Sequence, residues 1–137
     1  MSILDDFRTL VLSSTAVVAT VSNRVFWNVA PEEYPRPYVW YRRSSSEEEL
    51  CLDGSGGLRQ TTLDVECWAN EDATGTAETL AGRLKDLLHG HRGAMGGARA
   101  QAIYVDDQDD DYIPKGNMAD EGADLVALRI RIFHNTT

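Results

Sequence analysis

Three short stretches of this sequence hold residue types that can bind ligands or carry out chemistry. A glycine-rich DGSGG at residues 53–57 has the composition of a phosphate-binding loop, and a DDQDDD run at residues 106–111 offers the oxygen ligands that calcium prefers. His89 and His91, separated by one glycine, resemble a chelating pair. Each of these functions also requires particular neighbouring residues and secondary structure. Whether these are present decides between a binding site and a segment with only a structural role.

The context of the glycine-rich stretch favours a hairpin turn. A phosphate loop runs from a strand into a helix and, in its commonest form, places Lys and then Ser or Thr after the last glycine. Here Leu58 and Arg59 follow, and residues 58–69 alternate as in a strand with one buried face. Because glycine supplies the positive φ angles of hairpins, the pattern predicts a turn centred near Ser55.

This turn also bears on the two cysteines of the chain, Cys51 and Cys67. With the turn at Ser55, Cys51 lies opposite Arg59 and Cys67 lies opposite Arg43. The two sulfurs are then roughly 26 Å apart at the usual rise of a strand, which excludes a disulfide within one subunit. Reduced thiols are expected.

The other two stretches lack the residues that would complete a metal site. A zinc site needs three or four ligands, and no Cys or Glu is placed near His89 and His91, so the sequence predicts exposed histidines at a helix end. A calcium loop starting at Asp107 would need Gly and Glu where Tyr112 and Met118 stand. The acidic run is predicted to be a solvated loop, or an acidic surface that repels phosphate or meets a basic partner.

The remaining candidates do not form a catalytic constellation. The chain is rich in aromatic residues that suit an interface and core packing equally well: Trp27, Trp40, Trp68, Tyr34, Tyr38 and Tyr41. The three serines at residues 44–46 have no histidine that the pattern brings within reach. We therefore expect a protein that is not an enzyme and that uses no cofactor and no metal.

Composition and charge narrow the class further. The 137 residues suit one domain, 1–137, and carry a net charge of −9, which argues against a protein that wraps nucleic acid. Most of that charge lies in residues 106–124, a segment that contains eight acidic residues and one lysine. No apolar run approaches the roughly 20 residues that cross a bilayer, and the first residues lack a secretory pattern. We expect no membrane association, and we expect the chain to be made and kept in the cytosol until it assembles.

Hydrophobic periodicity predicts an α+β fold. Helical spacing indicates an N-terminal helix at residues 3–12 and one long helix at 77–88. The small apolar run at residues 15–21 suits either a helical turn or an extended segment, and a short helix is favoured. Alternation and β-branched or aromatic content indicate strands at residues 25–28, from 37 onward, 58–69, 98–105 and 125–133. The predicted fold is a single, mostly antiparallel sheet of about four to five strands packed against one long helix, with the N-terminal helix beside it.

The order of these elements is similar to that of a known family. The series RVFWNVAPEEYPRPYVWYRR, then LDGSGGLRQTTLDVECWA, then AETLAGRLKDLLHGHRGAMGG and a closing strand resembles the tail completion, or tail terminator, proteins of long-tailed bacteriophages, prophages and gene transfer agents. The resemblance spans residues 3–133. Pro37-Tyr38-Val39, Leu52-Asp53-Gly54 and the segment from Leu63 to Ala69 are its most telling pieces.

The resemblance implies a structural virion protein with no catalytic residues. Such a protein forms a homo-hexameric ring at the head-proximal end of the tail tube, stops polymerisation of the major tail tube protein and presents a docking surface to the head-tail connector or stopper. DNA passes through without specific binding. A head-side connector or stopper ring is the alternative, and a small acidic cation-binding module is a more distant one.

Two polar segments are the predicted contacts of such a ring, since subunit packing does not explain them. The first is the hairpin tip at residues 42–57, with these candidate interface residues: Arg42, Arg43, Glu47, Glu48, Glu49, Asp53 and Arg59. The second is an acidic loop predicted to face the channel: Asp106, Asp107, Asp109, Asp110 and Asp111. Like charges on the channel wall would keep passing DNA from adhering.

Overall fold

The computed structural model describes residues 3–28, 37–51, 54–70, 75–95, 98–113 and 123–135, with the backbone alone at 46–51, 54–58, 98, 112–113 and 135. The described residues form three helices and six strands. The helices are α1 (Ile3–Leu12), α2 (Thr15–Val21) and α3 (Thr76–Leu88). The strands are β1 (Val25–Trp27), β2 (Tyr38–Cys51), β3 (Gly54–Asn70), β4 (Gly93–Met95), β5 (Ala98–Ile113) and β6 (Ala123–Asn135).

All six strands belong to one sheet, in the order β1-β2-β3-β6-β5-β4. Every neighbouring pair is antiparallel except β1 and β2, which run parallel. The predicted α+β class and mostly antiparallel sheet are confirmed. The predicted count of four to five strands was too low: the edge strand β1 was predicted at residues 25–28, but β4 at the opposite edge has three residues and is too short to give a clear periodicity.

The helices begin and end where capping chemistry predicts. The side chain of Ser14 accepts a hydrogen bond from the amide of Val17 at 3.3 Å and so caps α2. Helix α3 lies between Gly75 and Gly90, whose φ angles of 86° and 82° are in the left-handed region that glycine adopts most readily. None of the helices in the described part of the chain is long and apolar enough to cross a membrane.

The core lies between the three helices and one face of the sheet. On β3 the alternating residues Leu63, Val65 and Cys67 are fully buried, and β6 buries its alternating apolar residues in the same way. Phe7 of α1 and Leu84 of α3 pack into the same cluster. The predicted alternation of β3 and β6 and the apolar stripe of α3 are therefore confirmed.

Two predictions about the strands were wrong. The turn between β2 and β3 lies closer to the N-terminus than Ser55, since Cys51 pairs with Gly54 and Cys67 pairs with Val39. The two cysteines still lie at opposite ends of the hairpin. The acidic run at residues 106–111 is part of strand β5, which continues to Ile113, and not a loop. Strand β6 makes this possible because its ladder satisfies the backbone and its arginines face the carboxylates.

Candidate assembly interface

Among the described residues the three helices all pack on one face of the sheet, and we call the other face the open face. Strand alternation fixes its membership, because residues in register on neighbouring strands point to the same side. Its members with described side chains are mostly charged or aromatic: Phe26, Tyr38, Trp40, Arg42, Gln60, Thr62, Asp64, Glu66, Trp68, Asn70, Ala102, Tyr104, Asp106, Asp107, Asp109, Asp111, Ala123, Leu125, Ala127, Arg129, Arg131 and Phe133. Three arginines stand against six carboxylates, so the open face is acidic.

A row of charges crosses the middle of the open face. Arg42, Asp64, Arg129 and Asp107 lie side by side on β2, β3, β6 and β5. The Asp64 carboxylate lies 3.8 Å from Nε of Arg42 and 3.4 Å from Nε of Arg129. Both arginine side chains are more than half exposed, so these ion pairs orient the guanidinium groups more than they stabilise the fold.

Beside this row the open face contains a shallow depression of about 320 Å³. It is lined by Trp40 and Glu66 together with the charged residues of the row, Asp109 and Ala127. The indole Nε1–H of Trp40 is buried there, and no acceptor is found for it among the described residues. Trp68 next to it donates its own indole N–H to Glu66 at 3.0 Å. A buried donor without an acceptor is rare in folded proteins.

The opposite part of the open face carries an aromatic and cationic cluster. Arg131 donates to both carboxylate oxygens of Asp106, at 3.1 Å in one of the two bonds, and its Cζ lies 5.4 Å and 5.7 Å from the ring centres of Tyr104 and Phe133. The hydrogen bond to Asp106 raises the pKa of Arg131. Tyr104 remains 40% exposed. Arginine and tyrosine held in this way are the residue types that dominate binding at protein interfaces.

The predicted contact residues of the hairpin lie on strands β2 and β3. Arg42 and Arg43 are exposed on β2, and Arg59 is half-buried on β3. Glu47, Glu48 and Glu49 continue β2, where their backbone pairs with Gln60, Arg59 and Leu58. Asp53 lies outside the described residues.

The predicted acidic loop is divided between two faces because it is a strand. Asp107, Asp109 and Asp111 are in register with Arg129, Ala127 and Leu125 of the open face, whereas Asp110 pairs with Val126 and lies on the side that carries the helices. All of them are exposed. A single channel wall therefore cannot include the whole run, since neighbouring residues point in opposite directions.

Sequence reasoning missed the two long strand edges. On β2, β1 covers only residues 39–41, so in the described part of the chain the stretch from Arg42 to Cys51 has no strand on its outer side. On β5, β4 covers residues 98–100. The stretch from Asp106 to Ile113 has β6 on one side and no described strand on the other. We call these two stretches the β2 edge and the β5 edge.

His89 and His91 make hydrogen bonds to backbone groups near the start of the β5 edge. The amide of Gly90 donates to the carbonyl of Ile103 at 2.8 Å, and Nδ1 of His89 accepts from the amide of Val105 at 3.1 Å. His91 contacts the carbonyl of Ala94 at 3.1 Å. The end of α3 therefore covers β5 up to Val105, and the exposed edge begins directly after it. The predicted position of these histidines at a helix end is confirmed.

Cys67 and Tyr41 are two titratable groups inside the core. Burial raises the pKa of the Cys67 thiol and of the Tyr41 phenol, so both stay protonated and unreactive at neutral pH. The aromatic residues were predicted to serve either an interface or core packing. Tyr41 lies in the core, Tyr38 is buried and stacks on Trp68, and Tyr34 lies outside the described residues. No group of three or more potential metal ligands occurs in the described ranges.

The fold is a one-sheet α+β subunit with an acidic open face and two uncovered strand edges. Residues 6–132 match the family model described as tail completion protein gp17, so the chain belongs to that family and to the structural proteins of phage tails. The predicted resemblance is confirmed. A comparison with curated proteins found no significant match.

Solved structures agree with this fold. A chain in the virion of a native gene transfer agent particle is 12% identical, with a TM-score of 0.75 over 98% of this chain and 96% of that one. A second solved chain is 15% identical, with a TM-score of 0.55 over 100% of this chain and 97% of that one. At these identities the likeness establishes the fold.

Proposed function

We propose that this protein is the terminator of a phage or phage-like tail: a ring of subunits that caps the tail tube, stops its polymerisation and provides the surface to which the head docks. The observation that carries the proposal is the family match over residues 6–132. The subunit would then reside in the virion, at the head-proximal end of the tail. Its partners would be further copies of itself, the tail tube protein and a connector or stopper of the head.

The distribution of contacts in the subunit supports this proposal. The helices bury the apolar middle of one face of the sheet, while the open face exposes charged and aromatic residues that the core does not use. A closed ring needs two different contact surfaces on each subunit, because each copy meets one neighbour on either side. The β2 edge and the β5 edge lie on opposite sides of the sheet and meet that requirement.

The acidic open face suits the wall of a channel through which DNA passes. Repeating its excess of carboxylates around a ring gives a negative field that opposes adhesion of phosphates. Removing Asp107 and Asp109 together as Asn should slow DNA ejection and leave tail length normal. Asp86→Asn on α3 is the matched control, since Asp86 is exposed on the helix side of the molecule. Equal ejection rates in both variants would contradict a channel-facing open face.

A complementation experiment tests the proposed function. Purified protein is added to a lysate whose particles lack it, and tail length and head attachment are scored by electron microscopy. The proposal predicts tails of uniform length joined to heads. Overlong tails that persist after addition would contradict the terminator function. Uniform but headless tails that gain heads only after addition would favour the connector alternative.

A further inference from the structure

We propose that neighbouring subunits of the ring join through their strand edges, with the β2 edge of one copy pairing antiparallel with the β5 edge of the next. This inference rests on the proposed function and adds to it the surface through which copies of the chain recognise each other. The sheets would then continue from subunit to subunit around the ring.

The strand directions allow this junction. Strands β2, β3, β6 and β5 are antiparallel step by step, so β2 and β5 run in opposite directions at the two sides of the sheet. Rotation about an axis along the strands preserves these directions, and the β5 edge of one copy therefore meets the β2 edge of the next as an antiparallel pair. Exposed edges with unpaired N–H and C=O groups are templates for such pairing.

Backbone N–H and C=O groups at the start of the β2 edge point outward, in the direction from which another strand could pair with them. The amide of Val39 and the carbonyl of Tyr41 point outward to the segment that leads into and out of β1, at 3.0 Å in both cases. Since the direction alternates along a strand, the N–H and C=O of Arg43 point outward as well. Strand β1 ends before it reaches Arg43, so no described strand pairs with these groups.

The charges select the partner and the register. The β2 edge begins with Arg42 and Arg43, and the β5 edge is the acidic run. Setting Arg42 opposite Asp111 of the neighbour brings two open-face residues together. The same register sets Arg43 opposite Asp110, both on the helix side. Opposite charges are then paired on both faces at the start of the junction, which favours a second copy of this chain over an acidic or apolar partner. Further along the same register Glu47 comes opposite Asp106 of the neighbour, so the attraction is confined to the pairs formed by Arg42 and Arg43.

The register also has the geometry of a closed barrel. Within one subunit Arg42 and Asp107 lie in the same row across the four long strands β2, β3, β6 and β5. Pairing Arg42 with Asp111 of the neighbour, four residues beyond Asp107, therefore shifts each copy along the strand direction by four residues relative to the next. The shift is about 13 Å along the strands, and the width of four strands is about 19 Å. The strands are then tilted by about 35° from the axis of the ring. Closed barrels have strand tilts of about 35–45°.

Cysteine pairs in assembled particles test the junction. Arg43→Cys is combined with Asp110→Cys in a Cys51→Ser background, and the chain is incorporated into particles by complementation. Within one subunit these positions are three strand spacings apart, about 14 Å or more, beyond the reach of a disulfide. Any bond between them therefore joins two subunits. Arg43→Cys with Gln108→Cys is the matched control, because position 108 lies on the same face, about 7 Å further along the strand.

Charge exchange gives a second measurement in the same particles. Arg43 and Asp110 are both exposed, and neither has an ion pair within the described part of the subunit, so reversing either charge leaves the fold intact. Arg43→Asp or Asp110→Arg alone should lower incorporation about tenfold, and the double variant should restore it. Arg99→Asp, an exposed residue on the part of β5 that β4 covers, is the control and should incorporate normally.

The results of these experiments distinguish a failure of the proposed strand junction from a failure of the proposed terminator function. Disulfide-linked multimers with the 43/110 pair, and far fewer with the 43/108 pair, support the inference. Particles that contain the chain and have normal tails, but form no multimers or form them equally with both pairs, overturn the junction and leave the terminator function in place. Absence of the Cys51→Ser chain, without the two added cysteines, from complemented particles overturns the proposed function, and the junction with it.

Discussion

Tyr41→Phe isolates the contribution of one buried hydrogen bond that ties the first helix to the sheet. The Tyr41 side chain is fully buried, its hydroxyl donates to the carbonyl of Leu4 in α1, and its ring packs edge to face on Phe7 with 4.8 Å between the ring centres. Phenylalanine keeps the ring and removes only the hydroxyl. The expected loss in the free energy of unfolding is about 1 kcal/mol, the usual net value of an internal hydrogen bond.

The assay is urea unfolding followed by tryptophan fluorescence, with thermal unfolding as a second probe. A loss of about 1 kcal/mol lowers the melting temperature by roughly 3–4 °C in a domain of this size. Tyr104→Phe is the matched control, because Tyr104 is 40% exposed on the open face and its variant should stay within about 0.5 kcal/mol of the parent. Equal stability of Tyr41→Phe and the parent protein would refute the role given to this hydroxyl.

The other predictions concern buried polar groups. Burial raises the pKa of Tyr41 and Cys67 above their ordinary values of 10.0 and 9.0, so the unfolded chain loses these protons first as the pH rises. Their contribution to the free energy of unfolding should be constant below about pH 9 and fall above it. Tyr41→Phe should flatten the part of the fall above pH 10, as measured by urea titration at each pH. In a Cys51→Ser variant, Cys67 should react with a thiol reagent at least about a thousand times more slowly in the native protein than in urea, and rapid native labelling would contradict its burial. Thr61→Val removes the 2.8 Å hydrogen bond to Nε2 of the buried His134 and should lower the free energy of unfolding by about 1–2 kcal/mol. Thr9 is an exposed residue of α1, and Thr9→Val should lower it by less than about 0.5 kcal/mol.

Much of the fold follows from periodicity in the sequence. The helices at residues 3–12 and 15–21 have the predicted bounds, and the alternation around Val65 and Ile130 identifies the buried faces of β3 and β6. Local patterns suffice there because a single buried face dictates the type of every second or fourth residue. The three-residue strand β4 was missed because it contains too few residues for such a signal.

The acidic run illustrates what a local pattern cannot reveal. Five aspartates in six residues indicate a solvated loop, but Arg129 and Arg131 of β6, more than 15 residues later in the chain, pair with this segment and keep it extended. The alternation then sends Asp109 and Asp110 to opposite faces. The strand edges were missed for the same reason, since an edge exists only once the order of strands is known.

A map of the head–tail junction of the assembled particle, by electron cryomicroscopy, tests the central claim most directly. The account predicts a ring between the tail tube and the head whose repeating density fits this α+β subunit, with the open face toward the channel. Density for the subunit at another place in the particle, or a junction that is complete without it, would contradict the terminator function.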